Sequence, residues 1–142
     1  MNISGLQYNL NRRTLEIYVS GCRGQCDGCH NPDLWDFEYG REYSFYIPKI
    51  QKKIKSGMVD EIWILGGDPI DQDKINFIDL LNNINYLPLF LWTRYDINEI
   101  DKDIKKYFKY IKTGKYDKNL PKYYSKEFDI TLASNNQKIY VF

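Results

Sequence analysis

The sequence is short of several things, and each shortage excludes a class of protein. It has no excess of either charge: 20 Lys and Arg face 19 Asp and Glu, for a formal net charge of +1. A general nucleic-acid binder would show a basic excess, so no nucleic acid is expected as a partner. It has no long apolar run. Leu87 to Trp92 is the most apolar stretch and falls far short of the ~20 residues that cross a bilayer, so no membrane is expected either. The first twenty residues lack a basic start, an apolar stretch and a small-residue cleavage site, which argues against secretion. There are only three cysteines, all between positions 22 and 29. A secreted disulfide framework would use an even number spread along the chain, so a reducing, cytoplasmic setting is expected and the cysteines have another task. Alanine is nearly missing, with Ala133 alone, beside many Ile, Lys, Asn and Tyr, the composition of an AT-rich gene.

What is present is ordinary for a folded domain. Hydrophobic residues make up 43% and charged residues 27% of 142 positions, which excludes a disordered tail or a fibre. That length suits one domain, spanning 1–142, able to bury roughly 70% of its unfolded surface without staples. The pattern alternates strands and helices. Thr14–Ser20 reads as a strand with Leu15, Ile17 and Val19 on one face, and the stretch before it is a short lead-in. Ile47, Ile50 and Ile54 recur at helical spacing up to Gly57. Glu61–Leu65 is a buried strand closed by Gly66 and Gly67. Asp71 can cap a helix carrying Ile75, Ile78, Leu81 and Ile84. Leu89–Thr93 is a third strand, and a helix opened by Asp96 or Asn98 carries Ile97, Ile100, Ile104 and Phe108. Tyr110–Thr113 and Lys138–Phe142 are two last strands. Such alternation points to parallel βαβ units, whose ligands collect at the carboxyl ends of the strands. The cysteine loop and the Gly66-Gly67-Asp68-Pro69 loop both follow strands directly, so they should open on one edge.

The cysteine loop reads Ser20-Gly21-Cys22-Arg23-Gly24-Gln25-Cys26-Asp27-Gly28-Cys29-His30-Asn31-Pro32. Three thiolates at this spacing can converge on one metal centre. A structural zinc held by the three cysteines and His30 is one reading, though His30 directly follows Cys29 and structural zinc sites usually use two separated ligand pairs. An iron–sulfur cluster is the other. Four irons held by three cysteines leave one iron open to a non-protein ligand, a place for chemistry.

The C-x3-C-x2-C string resembles the cluster motif of radical S-adenosylmethionine enzymes. The fuller string from Ser20 to Trp35 resembles one branch of them, the activating proteins of anaerobic ribonucleoside-triphosphate reductase. Leu65-Gly66-Gly67-Asp68-Pro69 is similar to that branch's GGDP motif, and Leu91-Trp92-Thr93-Arg94-Tyr95 to its WTGY strand end. Lys112-Thr113-Gly114-Lys115-Tyr116 stands where the branch has a DGxY-like segment, and Ser134-Asn135-Asn136-Gln137-Lys138 resembles its closing SxNQR pattern. Three departures are visible: Arg94 replaces the glycine of WTGY, Thr113 stands where an aspartate is common, and the stretch before the first strand is short and lacks a glycine-rich lead-in.

The resemblance implies an α/β fold, an incomplete (βα) barrel of parallel strands; a closed eight-stranded barrel, at ~250 residues, is too large. It implies a [4Fe-4S] cluster on Cys22, Cys26 and Cys29, with S-adenosylmethionine on its open iron. The cofactor contacts it implies are Gly66, Gly67 and Asp68 for the methionyl amino group, Thr93 at the strand edge, and His30 stacking near adenine. No side chain is expected to act as acid or base, because radical abstraction needs none. The implied reaction is reductive cleavage of S-adenosylmethionine and formation of a glycyl radical on a large anaerobic ribonucleotide reductase. The electron would come from an external donor such as flavodoxin or ferredoxin. Other activators of glycyl radical enzymes often add cysteine-rich insertions, and this chain has no fourth cysteine, which favours the reductase. The alternatives are activation of a different glycyl radical enzyme and a zinc-stabilised interaction module.

Overall fold

The computed structural model describes residues 1–142. The elements run β1 (Asn2–Asn9), β2 (Thr14–Val19), β3 (Arg41–Glu42), α1 (Tyr43–Lys55), β4 (Glu61–Gly66), α2 (Lys74–Ile84), β5 (Leu89–Trp92), α3 (Lys102–Lys105), β6 (Tyr110–Thr113), β7 (Tyr123–Ser125), β8 (Ile130–Leu132) and β9 (Lys138–Val141). Seven strands form one sheet in the order β3-β1-β2-β4-β5-β6-β9, and β7 with β8 makes a separate hairpin.

The four central strands are the expected parallel block. β2 pairs with β4, β4 with β5 and β5 with β6, all parallel. Their apolar alternation decides what each face covers, because successive strand residues point to opposite sides. Ile62 and Ile64 of β4 and Leu89 and Leu91 of β5 pack with Ile50, Phe77, Leu80, Leu81, Ile84 and Ile104 from the helical side. Trp63 and Phe90, one residue out of step, pack instead with Ile130 and Leu132 of the β7–β8 hairpin, flanked by Leu65, Trp92 and Tyr110. Fully burying a side chain such as Leu80 or Phe77 contributes about 1.5–3 kcal/mol.

The expected incomplete (βα) barrel of parallel strands is not what forms. The sheet is mixed: β1 runs antiparallel to β2 from Ile3↔Val19 to Asn9↔Thr14, and β9 runs antiparallel to β6 from Tyr110↔Val141 to Thr113↔Lys138. These strands occupy both edges of the parallel block, so no further βα unit can add. The face that a barrel would turn inward is filled by the β7–β8 hairpin. There is also too little helix to wrap a barrel, since α3 is a single turn.

Three local expectations change as well. The lead-in is itself a strand, β1, with Gly5 at a register shift. The helix expected from Asp96 or Asn98 to Phe108 breaks at Ile100, whose ψ of 126° is extended, into a 3-10 turn over Ile97–Glu99 and the short α3. The helix after β4 is capped by Asp73, which accepts the Asn76 N–H at 2.9 Å, while Asp71 lies in a preceding 3-10 turn and is used elsewhere. No helix is long and apolar enough to cross a membrane.

Candidate metal centre

β2 and β4 lie side by side in parallel with Val19 opposite Gly66, so the cysteine loop and the Gly66–Pro69 loop leave the same sheet edge, as expected. The two loops are stitched together. The Gly67 N–H donates to the Val19 carbonyl at 2.8 Å and the Asp68 N–H to the Gly21 carbonyl at 2.9 Å. Gln72 Nε2 donates to the same Gly21 carbonyl at 3.1 Å. Both glycines are required by this packing. Gly66 has φ +117°, in the left-handed region, and a Cβ on Gly67 would collide with the backbone carbonyls of Gly21 and Leu34.

A cavity of about 450 Å³ opens at this edge. Its wall includes Cys22, Cys26 and Cys29 together with His30, Gly66, Gly67, Asp68 and Thr93, every residue singled out for cluster or cofactor. All three cysteines are free and half-buried. Backbone N–H groups already point at two of the sulfurs, Gly24 to Cys22 Sγ at 3.3 Å and Asn31 to Cys29 Sγ at 3.4 Å. Burial pushes the Cys22 thiol up, with the Asp68 and Asp71 charges adding to it and the Gly24 N–H opposing it. A free Cys22 thiol therefore holds its proton at neutral pH, and metal binding there would release it.

No three of the Cys, His, Asp and Glu side chains converge on a point that could hold a single ion. A cluster presenting a separate iron to each thiolate takes donors spread around a common space, and three cysteines on one cavity wall fit it. Two further buried donors, Trp92 Nε1 and Arg94 Nε, have no hydrogen-bond acceptor in the protein.

Asp68 and Thr93 are heavily engaged. Asp68, 1% exposed, accepts the Ile70 N–H at 3.0 Å, the Thr93 hydroxyl at 2.7 Å and the Arg94 N–H at 2.9 Å. Burial pushes its carboxyl above the usual carboxylate range against the pull of these donors. The Thr93 hydroxyl in turn accepts the Tyr95 N–H at 3.2 Å. This pair ties the ends of β4 and β5 together and shapes the cavity wall. His30 packs its ring 5.0 Å from that of Tyr116, which joins the cysteine loop to the segment after β6. The Lys118–Asp27 ion pair makes the same connection.

Several site residues were not legible beforehand. Asp71, fully buried, accepts the Arg23 N–H at 2.8 Å, the Tyr95 hydroxyl at 2.6 Å and the Arg94 guanidinium at 3.2 Å. Arg94 also lies against Gly24, where a Cβ would strike its side chain. The bulk and charge that Arg94 adds in place of glycine thus serve as a strut between the loop after β4 and the cysteine loop. Gln137, 5% exposed, donates to the Gly114 carbonyl at 3.1 Å and accepts the Ser134 N–H at 3.4 Å, so the closing motif clips the end of β6. Lys112 is 9% exposed and lines the cavity, where burial lowers its ammonium to about 8 against the attraction of Asp68 and Cys26. The available signal was its place: the penultimate residue of a parallel strand, out of step with the buried Ile111.

The chain belongs to the 4Fe-4S single cluster domain family, whose model matches residues 12–140. Among curated relatives it is similar to the anaerobic ribonucleoside-triphosphate reductase-activating protein of Enterobacteria phage T4, 27% identical over 112 residues that cover 74% of this chain and 72% of the relative. The proteins of the same name from Vibrio cholerae and Haemophilus influenzae are 26% identical over 106 residues and 27% over 105, each alignment covering 67% of this chain and 66% of the relative. No solved structure matches.

Proposed function

We propose that this chain is an activating enzyme of an anaerobic ribonucleoside-triphosphate reductase. In this reading Cys22, Cys26 and Cys29 hold a [4Fe-4S] cluster, and S-adenosylmethionine occupies the cavity beside it. The observation that carries the reading is the gathering of the three thiols and the Gly66–Asp68 loop around one cavity at the carboxyl edge of the parallel strands. The relatives' names supply the class of protein acted on.

With the cluster and cofactor bound, such a site would supply one-electron reductive cleavage of the sulfonium and, through it, hydrogen-atom abstraction from a backbone glycine of the reductase. The electron would come from an external donor such as flavodoxin or ferredoxin. The chain's own residues bind, orient and exclude water. The cysteines ligate, while Gly66 and Gly67 bring backbone close to the ligand. The Asp68–Thr93 pair holds that loop against β5. His30 and Tyr116 close one side.

The test mixes the anaerobically reconstituted protein, S-adenosylmethionine and a reductant with the cognate reductase. A doublet electron paramagnetic resonance signal from a glycyl radical is expected, and changing the partner's radical-site glycine to alanine should remove it while complex formation persists. Cofactor cleavage without a radical on the reductase would assign a different substrate protein. A colourless protein containing zinc and no iron would assign an interaction module instead.

A further inference from the structure

Four basic side chains line the cavity: His30, Arg94, Lys112 and Lys122. Three of them are accounted for. The Arg94 guanidinium is held by Asp71 at 3.2 Å, lies 3.8 Å from Asp68 and packs 4.2 Å over the Tyr95 ring. His30 packs on Tyr116, and Lys122 is exposed to solvent. Lys112 differs. It is nine-tenths buried, yet its Nζ has a single acceptor, the Gly114 carbonyl at 3.4 Å, which Gln137 already engages at 3.1 Å. The Trp92 ring centroid stands 5.9 Å away, at the outer range of a cation–π contact.

A buried ammonium so weakly paired is costly unless something else in the cavity pairs with it. The cavity's own anionic groups, Asp68 and Cys26, attract this ammonium without hydrogen-bonding it, and the Asp68 oxygens already accept from Ile70, Thr93 and Arg94. A direct partner is therefore sought in an anionic group of the ligand, within reach of a lysine at the carboxyl edge of β6.

We propose that Lys112 anchors the carboxylate of the amino-acid moiety of the ligand in this cavity, so that the chain selects a carboxylate-bearing sulfonium. The proposal rests on the reading of S-adenosylmethionine as that ligand. It makes Lys112 a binding residue and leaves cluster ligation to the cysteines. It also gives a role to the segment in which Thr113 stands in place of an aspartate: the contact is a cation one residue earlier in the strand.

The test is a two-by-two comparison on anaerobically reconstituted protein, wild type and Lys112→Gln. Each is titrated by calorimetry with S-adenosylmethionine and with its decarboxylated analogue, which keeps the amine and the sulfonium. Iron content and the visible spectrum are measured on the same samples. In wild type, loss of the carboxylate should weaken binding about tenfold to a hundredfold, the range of a charge-assisted contact. In Lys112→Gln the iron content should be unchanged, S-adenosylmethionine should bind more weakly, and removal of the carboxylate should cost about tenfold less than in wild type. Lys112→Arg should restore part of the difference. Equal carboxylate dependence in the two proteins overturns the assignment, as does a shift of cluster potential with no change in either affinity. Wild-type protein that carries four irons but binds neither compound would instead overturn the reading of the ligand itself.

Discussion

The Asp71 carboxylate accepts the backbone N–H of Arg23 at 2.8 Å, reaching from the turn after β4 to the residue that follows Cys22. One buried carboxylate therefore sets the position of the cysteine loop from 48 residues away in sequence. The same group holds Arg94 and Tyr95 at the end of β5, so three segments of the site share a single anchor.

Removal of that anchor leaves the Arg94 guanidinium half-enclosed without its main partner. Asp71→Ala should destabilise the protein by about 3–5 kcal/mol, as breaking one side of a buried pair does. The double variant Asp71→Ala/Arg94→Met should lose less than the single. Thermal unfolding followed by circular dichroism compares them; an Asp71→Ala midpoint equal to wild type would show that the anchor carries no weight.

Each of Cys22→Ala, Cys26→Ala and Cys29→Ala should lose the cluster, since no fourth cysteine exists to replace the missing thiolate. Iron and sulfide analysis after anaerobic reconstitution checks this. Near four irons together with normal cofactor cleavage in any one variant would remove that cysteine from the ligand set.

Gly67→Val places branched carbon against the carbonyls of Gly21 and Leu34. Overpacking of this kind costs about 1–3 kcal/mol, and here the obstacle is backbone that cannot turn aside. The variant should therefore retain less iron and unfold at lower temperature, in addition to any weakening of ligand binding. Full iron and an unchanged midpoint, with ligand affinity alone reduced, would mean that the glycine serves only the ligand.

Lys112 has its ammonium lowered by burial from 10.5 to about 8. Between those values the unfolded chain binds more protons than the folded one, so this group makes the protein more stable as pH rises through the window and less stable below it. Lys112→Met should remove that rise. In cluster-free protein near pH 7 it should gain about 1–3 kcal/mol over wild type, at about 1.4 kcal/mol per pKa unit, and the gap should close towards pH 10.5. Urea unfolding of both proteins at pH 7 and pH 9.5 measures it; a gap that stays constant would show that the buried ammonium is not the cause.

The parallel block was legible in the sequence because each of its strands carries its own apolar alternation and its own stop. Leu15, Ile17 and Val19, or Ile62 and Ile64, announce a buried face without reference to any neighbour. The three clustered thiols and the glycine pair were legible for the same reason: their chemistry lies in the residue types and their spacing. The segment Asn2–Asn9, with Gly5, two asparagines and a glutamine, has no such signal, and becomes a strand because β2 supplies hydrogen-bond partners along its length. Ile97, Ile100, Ile104 and Phe108 recur at helical spacing and pack on the core, but a run of buried positions reports burial, and two short turns joined at an extended Ile100 meet it as well as one helix. Whether the sheet closed into a barrel was decided by what took its edges and its second face, β1, β9 and the β7–β8 hairpin. The roles of Asp71 and Lys112 were decided in the same way. A carboxylate or an ammonium shows in sequence only its charge, and the burial and the partners that turn it into a strut or an anchor come from chain segments far away in sequence.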